Sequence, residues 1–205
     1  MIRHLLNWIL VHRADQLVRW MSPYLPRGGA VIDIGAGTGH TVQALQQQSP
    51  GLNVVEVDVV NIRVIPGNAV LFDGYQLPFA DGQFSAAIMI FVLQYCNEPQ
   101  ILLRNLHHVM NGPVMVIQST YHGRLGHWWL QTFDFLWGPI AFQVARICGL
   151  VHTSKHALDG KTFYTLPELI QLFQRAGFQV QLLETKPLFP MPMSYHIFRL
   201  EKICI

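Results

Sequence analysis

Charged residues are scarce in this sequence: Asp, Glu, Lys and Arg make up 13% of its 205 residues, about half of the usual share. Lysine and arginine together number 14 against 12 acidic residues, and no basic run occurs. Because DNA or RNA binding needs a concentrated positive surface, we expect no nucleic-acid partner. Hydrophobic residues make up 51% of the chain, which favours one domain, residues 1–205, with a large core.

Cysteine is also rare, with three widely separated residues, Cys96, Cys148 and Cys204. Their number is odd and their spacing is not that of metal ligands, so we predict neither a disulfide framework nor a metal site. Reduced cysteines at packing positions are typical of cytoplasmic proteins. The chain has no uncharged apolar run of the roughly 20 residues that a membrane-spanning helix needs. We therefore expect a cytoplasmic protein.

Segments rich in β-branched residues alternate with segments of helical periodicity along most of the chain. Apolar residues recur at helical spacing over residues 1–22, predicting a helix that forms an N-terminal cap over residues 1–27. Strands that alternate with helices indicate a parallel sheet covered on both faces. Five strands are predicted, at AVIDI (30–34), NVVEVDVV (53–60), AVLF (69–72), FSAAIMIFVL (84–93) and GPVMVIQST (112–120), with helices at 38–48 and 97–110.

The end of the chain predicts one more helix and two more strands. In YTLPELIQLFQRAGFQV, Thr165 and Glu168 have the spacing of a capping box, and Gly177 follows the last helical turn, which predicts a helix between them. FQVQLLE and SYHIFRLEKI are then predicted as strands joined by a proline-rich link. Since this link is too short for a helical crossover, the two strands should form an antiparallel hairpin.

A glycine-rich turn follows the first predicted strand, in VIDIGAGTGH (31–40). Such a turn lets a ligand approach the backbone, and the following helix offers free N–H groups. Gly35, Gly37 and Gly39 are spaced G-x-G-x-G, whereas a dinucleotide fingerprint has G-x-G-x-x-G. Asp33 lies just before the turn, where a carboxylate is unfavourable beside a pyrophosphate and suits a ligand with an ammonium or sulfonium charge. The turn therefore argues against a nicotinamide dinucleotide.

Two further acidic residues follow predicted strands. Asp58 ends the second strand, 25 positions after Asp33, and an acid about 20 residues beyond such a turn accepts hydrogen bonds from ribose hydroxyls. Asp73 follows the third strand, where a carboxylate can accept from an exocyclic amine such as that of adenine. Because the carboxyl ends of parallel strands share one edge of a sheet, the three acids predict a site for a nucleoside with a cationic tail.

The sequence resembles class I S-adenosylmethionine-dependent methyltransferases, most closely the small-molecule branch called type 11. The resemblance extends from about residue 28 to the end, apart from residues 124–156. Its motifs, in order, are VIDIGAGTGH, VVEVDVV, FDGYQLPFADGQF, FVLQYCNEPQILLRNLHHVMNGPVMVI and YTLPELIQLFQRAGF. The resemblance implies a Rossmann-like, doubly wound α/β fold with a seven-stranded sheet, mostly parallel, that ends in an antiparallel hairpin. It also implies S-adenosylmethionine as the cofactor.

The resemblance implies roles for individual residues. Those implied to hold the methionine part of the cofactor are Asp33, Gly35, Ala36, Gly37, Gly39 and His40. Those implied to hold the nucleoside are Asp58 at the ribose, Val59 beside the adenine, Asp73 and the Gly74 backbone at the adenine amine, and Ile90 and Phe91 as the floor. The family usually has Asp at the position of Ser85 and His-His at Gln94-Tyr95; these departures concern the acceptor rather than the cofactor.

Methyl transfer is an in-line displacement in which the cofactor supplies the reactivity, so the protein chiefly orients the acceptor. A general base helps only where the acceptor must lose a proton. Tyr121 and His122 follow the fifth strand at the ligand-facing edge and are the candidate catalytic residues, with His127 further along. Tyr75 and Tyr164 are candidates for the pocket wall, with core packing the favoured alternative for both.

Residues 124–156 are the most individual part of the sequence. They contain more large aromatic side chains than a soluble surface normally carries, namely Trp128, Trp129, Phe133, Phe135, Trp137 and Phe142. We interpret this insert as an apolar helical lid over a hydrophobic acceptor such as a quinone, an isoprenoid, a lipid or an aromatic molecule. Two alternatives stay open: a shallow contact with a membrane surface, for which basic residues are few, and a homodimer interface.

The sequence thus predicts methyl transfer from S-adenosylmethionine to a small, apolar acceptor. One alternative is a cofactor-binding partner subunit without turnover. Another, which the glycine spacing and the terminal hairpin disfavour, is an NAD(P)-dependent oxidoreductase. Binding of S-adenosylhomocysteine and turnover on an acceptor distinguish the three.

Overall fold

The computed structural model describes residues 2–132 and 162–203, which build a seven-stranded sheet between two layers of helices. The helices are α1 (Ile2–Met21), α2 (His40–Gln48), α3 (Pro99–Val109), α4 (described over 123–132) and α5 (Leu166–Arg175). The strands are β1 (Gly29–Ile34), β2 (Leu52–Asp58), β3 (Val70–Leu71), β4 (Ala86–Ile90), β5 (Val114–Tyr121), β6 (Phe178–Pro187) and β7 (Met193–Lys202). Phe133, Phe135, Trp137 and Phe142 of the predicted insert lie outside the described residues, as do Cys148 and Cys204.

The sheet has the strand order β3-β2-β1-β4-β5-β7-β6. Strands β1 to β5 are parallel, and β7 runs antiparallel to both of its neighbours. The predicted Rossmann-like sheet with an antiparallel C-terminal hairpin is therefore confirmed. Residues 188–192 form the proline-containing link between β6 and β7. Because a link this short cannot hold a crossover, the two strands that it joins are antiparallel.

Successive residues of the strands point to opposite faces of the sheet, and both faces are buried. On one face Val31 packs with Leu17 of α1 and Leu45 of α2. On the other face Ile32 packs in the cluster that contains side chains of α3 and α5. This double burial explains why the parallel strands are continuous apolar runs instead of alternating apolar and polar residues.

Two predicted strands extend two or more residues beyond the observed ends. The second strand ends at Asp58 instead of residue 60, since the Asp58 carboxylate accepts hydrogen bonds from the N–H groups of Val59 and Val60. The fourth strand ends at Ile90 instead of residue 93. Phe91 there has φ 56°, in the left-handed region, and a short 3₁₀ turn follows at Leu93–Tyr95.

Helix α5 begins as the sequence predicts. The backbone N–H and the hydroxyl of Thr165 both donate to Glu168 Oε2, at 2.7 and 2.8 Å. Gly177 follows the helix with φ 90°, a conformation that glycine adopts without strain. None of the helices within the described residues is both long and apolar enough to traverse a bilayer.

Candidate functional site

A cavity of about 510 Å³ opens at the carboxyl edge of the sheet, around the ends of β1 to β4. Strand β1 leads to α2 on one face of the sheet, whereas β4 leads to α3 on the other. Ligands of open α/β sheets bind at such a switch point. Eight residues implied by the family resemblance line the cavity: Gly35, Gly37, Asp58, Val59, Asp73, Gly74, Ile90 and Phe91.

The glycine turn needs glycine at three positions. Gly35, Gly37 and Gly39 have φ values of 72°, 57° and 84°, which residues with a side chain rarely adopt. A Cβ atom at Gly35 would also lie 2.6 Å from a methyl group of Val92, another residue of the cavity wall. Here the glycines allow both the fold of the turn and the close approach of the opposite wall.

Hydrogen bonds to the Asp58 carboxylate link this turn to the end of β2. Its Oδ2 accepts from the N–H of Gly37 at 2.8 Å, and its Oδ1 accepts from Val59 at 2.7 Å and from Val60 at 3.3 Å. Burial raises the pKa of Asp58, and these backbone hydrogen bonds oppose that rise. A carboxylate has about four acceptor positions, so Asp58 keeps capacity for a ligand hydroxyl.

Asp73 stabilises a turn on the opposite side of the cavity opening. Its Oδ1 accepts from the N–H groups of Tyr75 at 2.8 Å and Gln76 at 2.7 Å. These bonds, the one from Gln76 first, lower the pKa of Asp73. The exposed carboxylate is therefore ionised at neutral pH, and the turn it forms brings Gly74 and Tyr75 to the cavity wall.

Asp33 lies beneath the cavity and is not among the residues that line it. Only 2% of its surface is exposed, and Oδ2 has no hydrogen-bond partner within the described residues. Burial, with the charge of Asp58 as a second cause, raises the pKa of Asp33 to about 8, while Arg63 acts in the opposite direction. A positive ligand charge in the cavity would favour ionisation of this carboxyl group.

Sequence reasoning missed two charged residues of the site, Glu56 and Arg63. Glu56 lies opposite Asp33 in the strand register and forms a buried ion pair with Arg63. Arg63 also donates to the carbonyl oxygens of Ile65 at 2.7 Å and Pro66 at 3.0 Å. Its guanidinium lies against Gly39, where a Cβ atom would be only 3.0 Å away.

These contacts let a loop without helix, residues 59–69, connect β2 to β3 and support the glycine turn. The sequence did contain a signal for this role of Arg63, because Arg63 is the only cation between Asp58 and Asp73.

His40 joins the glycine turn to the N-terminal helix and does not line the cavity. Its Nδ1 lies 2.9 Å from the Thr38 hydroxyl, and its Nε2 lies 3.1 Å from Oδ1 of Asn7 in α1. Burial lowers the pKa of His40, so the neutral ring is the stable form at neutral pH. Ala36 and Gly39 likewise shape the turn without lining the cavity; the Ala36 N–H donates to the carbonyl oxygen of Val57 at 3.1 Å.

The far wall is mostly apolar. Phe91 stacks near Tyr195, with ring centroids 4.8 Å apart, and the Arg13 guanidinium lies 5.1 Å from its ring centroid. The left-handed backbone of Phe91 is unusual for a bulky residue and is typical of functional sites. Burial raises the pKa of the Cys96 thiol in the same wall to about 11, so it stays protonated.

The two tyrosines named from the sequence differ in position: Tyr75 lines the cavity, whereas Tyr164 packs against the buried core.

Of the candidate catalytic residues, Tyr121 ends β5 and His122 follows it, and neither is among the cavity-lining residues. Tyr121 packs its ring 4.7 Å from that of His127, and His122 Nε2 lies 2.8 Å from the Ser194 hydroxyl. Their catalytic assignment stays a prediction. The residues that depart from the family pattern have structural partners: Ser85 donates to the Ala30 carbonyl at 2.8 Å, and Gln94 accepts from Gln118 and Ser119 at 3.2 and 3.3 Å.

Comparison with known proteins agrees with this geometry. A family model described as a methyltransferase domain matches residues 4–183. A demethylmenaquinone methyltransferase of Thermotoga maritima is 22% identical over 175 residues, which cover 78% of this chain and 72% of that protein.

Two solved structures have the same fold. An S-adenosylmethionine-dependent methyltransferase from Thermotoga maritima has a TM-score of 0.65 at 18% identity, covering 99% of this chain and 96% of that one. Geranyl diphosphate methyltransferase in complex with S-adenosylmethionine has a TM-score of 0.66 at 11% identity, covering 94% of this chain and 85% of that one. The family match, the strand order and the glycine turn agree, and the chain therefore belongs to the methyltransferase-domain family as a class I S-adenosylmethionine-dependent methyltransferase.

Proposed function

We propose that the cavity at the carboxyl edge binds S-adenosylmethionine and that the chain transfers its methyl group to a small, apolar acceptor. The observation that carries this proposal is the convergence of Asp58, Asp73 and the left-handed glycine turn on one cavity of about 510 Å³. A cavity of this size is ordinary for a cofactor or other small molecule.

Six of the cavity residues have proposed roles in holding the nucleoside. Asp58 accepts from the ribose hydroxyls, and Asp73 with the Gly74 backbone binds the adenine amine. Val59, Ile90 and Phe91 provide apolar surfaces for the adenine. When bound, the cofactor supplies a methyl group on a positively charged sulfur. The carboxyl groups of Asp33 and Asp58 favour a cation here, because positive charge nearby offsets the cost of ionising a buried acid.

An apolar acceptor is supported by the names of similar proteins and by the many Trp and Phe residues of segment 124–156. Two of the similar proteins are named for demethylmenaquinone and for geranyl diphosphate, both isoprenoid compounds. Where the acceptor must lose a proton, His122 is the proposed base and Tyr121 its neighbour at the acceptor entrance.

Calorimetric titration with S-adenosylhomocysteine tests the cofactor site. We expect Asp58→Asn and Asp73→Asn each to weaken binding about 10- to 100-fold, since hydrogen bonds to a charged group contribute roughly 1.5–3 kcal/mol. Asp81→Asn is the matched control, because Asp81 is an exposed turn residue outside the cavity wall. The absence of binding heat in the unaltered protein, or full affinity in both site variants, would refute the proposal.

Methylation of a lipid extract, compared with a polar metabolite extract, tests the acceptor class. Transfer of label from methyl-labelled S-adenosylmethionine into the lipid pool is the expected result, and His122→Ala should lower kcat more than it raises KM. Activity confined to the polar pool would overturn the apolar acceptor. Cofactor binding without turnover on either pool would instead indicate a partner subunit.

A further inference from the structure

Three separate elements project at the carboxyl edge of the sheet, beside the cavity. Helix α1 runs toward this edge, since Arg13 already lies over Phe91 just past the end of β4. At 1.5 Å per residue, its first turns extend roughly 10 Å farther. Helix α4 starts directly after β5, and the turn of residues 188–192 precedes Met193, which pairs with Tyr121 at the end of β5. The backbone of Gly126 in α4 packs against Pro192 of that turn.

Each of these elements exposes large apolar side chains. Phe189 is 96% exposed, Leu125 83% and Trp128 65%. In α1, Leu5, Trp8 and Ile9 are also exposed. We call these six residues the apolar rim. Single exposed hydrophobic residues are normal on a protein surface, but six large ones from three elements at one edge require an explanation.

The three segments that carry the apolar rim together contain basic residues and no acidic ones. His4, Arg13 and Arg124 are exposed there. No Asp or Glu occurs in residues 2–14, 122–132 or 187–193, so the three segments carry basic and neutral residues only. A surface that combines exposed tryptophan, leucine and phenylalanine with basic residues and lacks acids is complementary to a bilayer with anionic headgroups.

We propose that the apolar rim docks this methyltransferase on an anionic lipid surface, with Phe189, Leu125 and Trp128 inserted at the level of the headgroups. The rim consists of protruding tips, whereas a protein partner typically buries its aromatic anchors in well-packed pockets. A fluid bilayer accepts such tips without a matching shape. Docking in this orientation turns the cavity mouth toward the membrane, from which an apolar acceptor can reach the site without crossing water. The docking itself does not depend on methyl transfer.

Flotation with vesicles tests the docking without cofactor or acceptor. The full chain is mixed with vesicles of phosphatidylcholine alone, or of phosphatidylcholine and phosphatidylglycerol in equal parts, and the fraction that floats is measured. We expect flotation with the anionic vesicles, weakening as salt is raised. The double variant Leu125→Glu/Phe189→Glu should lower the bound fraction about tenfold, because it places charge where the rim enters the headgroups.

The matched control is Ile203→Glu. Ile203 is also an exposed apolar residue, but it follows β7 at the opposite edge of the sheet, so its variant should float like the unaltered protein. Titration with S-adenosylhomocysteine verifies that each variant is folded.

An unaltered protein that stays in solution with both vesicle types would overturn the proposal, as would equal flotation of the rim variant. Sedimentation velocity without lipid identifies the rival occupant: a dimer that the rim variant dissociates, combined with no vesicle binding, would show that a second copy covers the rim.

Discussion

At the scale of single residues, the site depends on carboxyl groups whose protonation the fold controls. Asp33 and Asp73 are both aspartates next to strand ends, yet burial raises the pKa of Asp33 to about 8 whereas backbone N–H donors lower that of Asp73. Composition and spacing locate such residues but do not show their burial. The sequence therefore predicted where three acids would converge, and it did not predict that Asp33 would lie beneath the cavity.

Asp33 should make the ligand-free protein less stable as the pH rises. Its pKa is about 8 in the folded chain and 3.8 when exposed, so between these values the unfolded state ionises while the folded state holds the proton. The stability is fully present below the exposed value and declines through the folded one, by at most about 1.4 kcal/mol per pH unit.

Urea denaturation of the unaltered protein and of Asp33→Asn across this pH range measures the effect. The variant cannot ionise, so its stability relative to the unaltered protein should increase steadily between pH 4 and pH 8. A difference that is constant over this range would contradict the assignment. Titrating groups that do not interact with Asp33 affect both proteins alike and cancel in the comparison.

At the scale of elements, local signals predicted the helices and strands well and their connections poorly. Apolar runs identified β1 to β5, and the short proline-rich link identified the terminal hairpin. The sequence predicted no helix between β2 and β3, but it did not predict the path of this crossover, which depends on the side chain of Arg63 reaching Glu56 and two carbonyl oxygens. The left-handed turn at Phe91 has no local sequence signal either.

The start of α5 offers a test of one local signal. Thr165→Ala removes the hydroxyl that donates to Glu168 and the oxygen that can cap the free N–H groups of the first turn. We expect a loss of about 1 kcal/mol in the free energy of unfolding, measured by urea denaturation. Glu168→Gln keeps an acceptor oxygen at the same place and should cost less. No loss in Thr165→Ala would mean that packing of α5 alone sets its first residue, and equal losses in both variants would contradict the expected ranking.

At the scale of the whole molecule, the site joins parts of the chain that are distant in sequence. The cavity wall takes residues from the ends of β1, β2, β3 and β4, and the buried ion pair of Glu56 and Arg63 supports the glycine turn from below. Asn7 connects α1 to the same turn through His40. A ligand that contacts these ends at once should therefore oppose every opening motion that separates them, while leaving motions elsewhere unchanged.

Hydrogen exchange with and without S-adenosylhomocysteine can measure this coupling amide by amide. At a ligand concentration 100 times Kd, openings that destroy the site cost about 2.7 kcal/mol more, so exchange through them should slow about 100-fold. The N–H groups of Gly37 and Tyr75, which donate to Asp58 and Asp73, should show this slowing. The Ala176 amide, which caps the end of α5 by donating to the Phe173 carbonyl, should open by local fraying and keep its rate. If Ala176 slowed as much as Gly37, the ligand would be acting on global unfolding alone, and the strand ends would not form a separate cooperative unit.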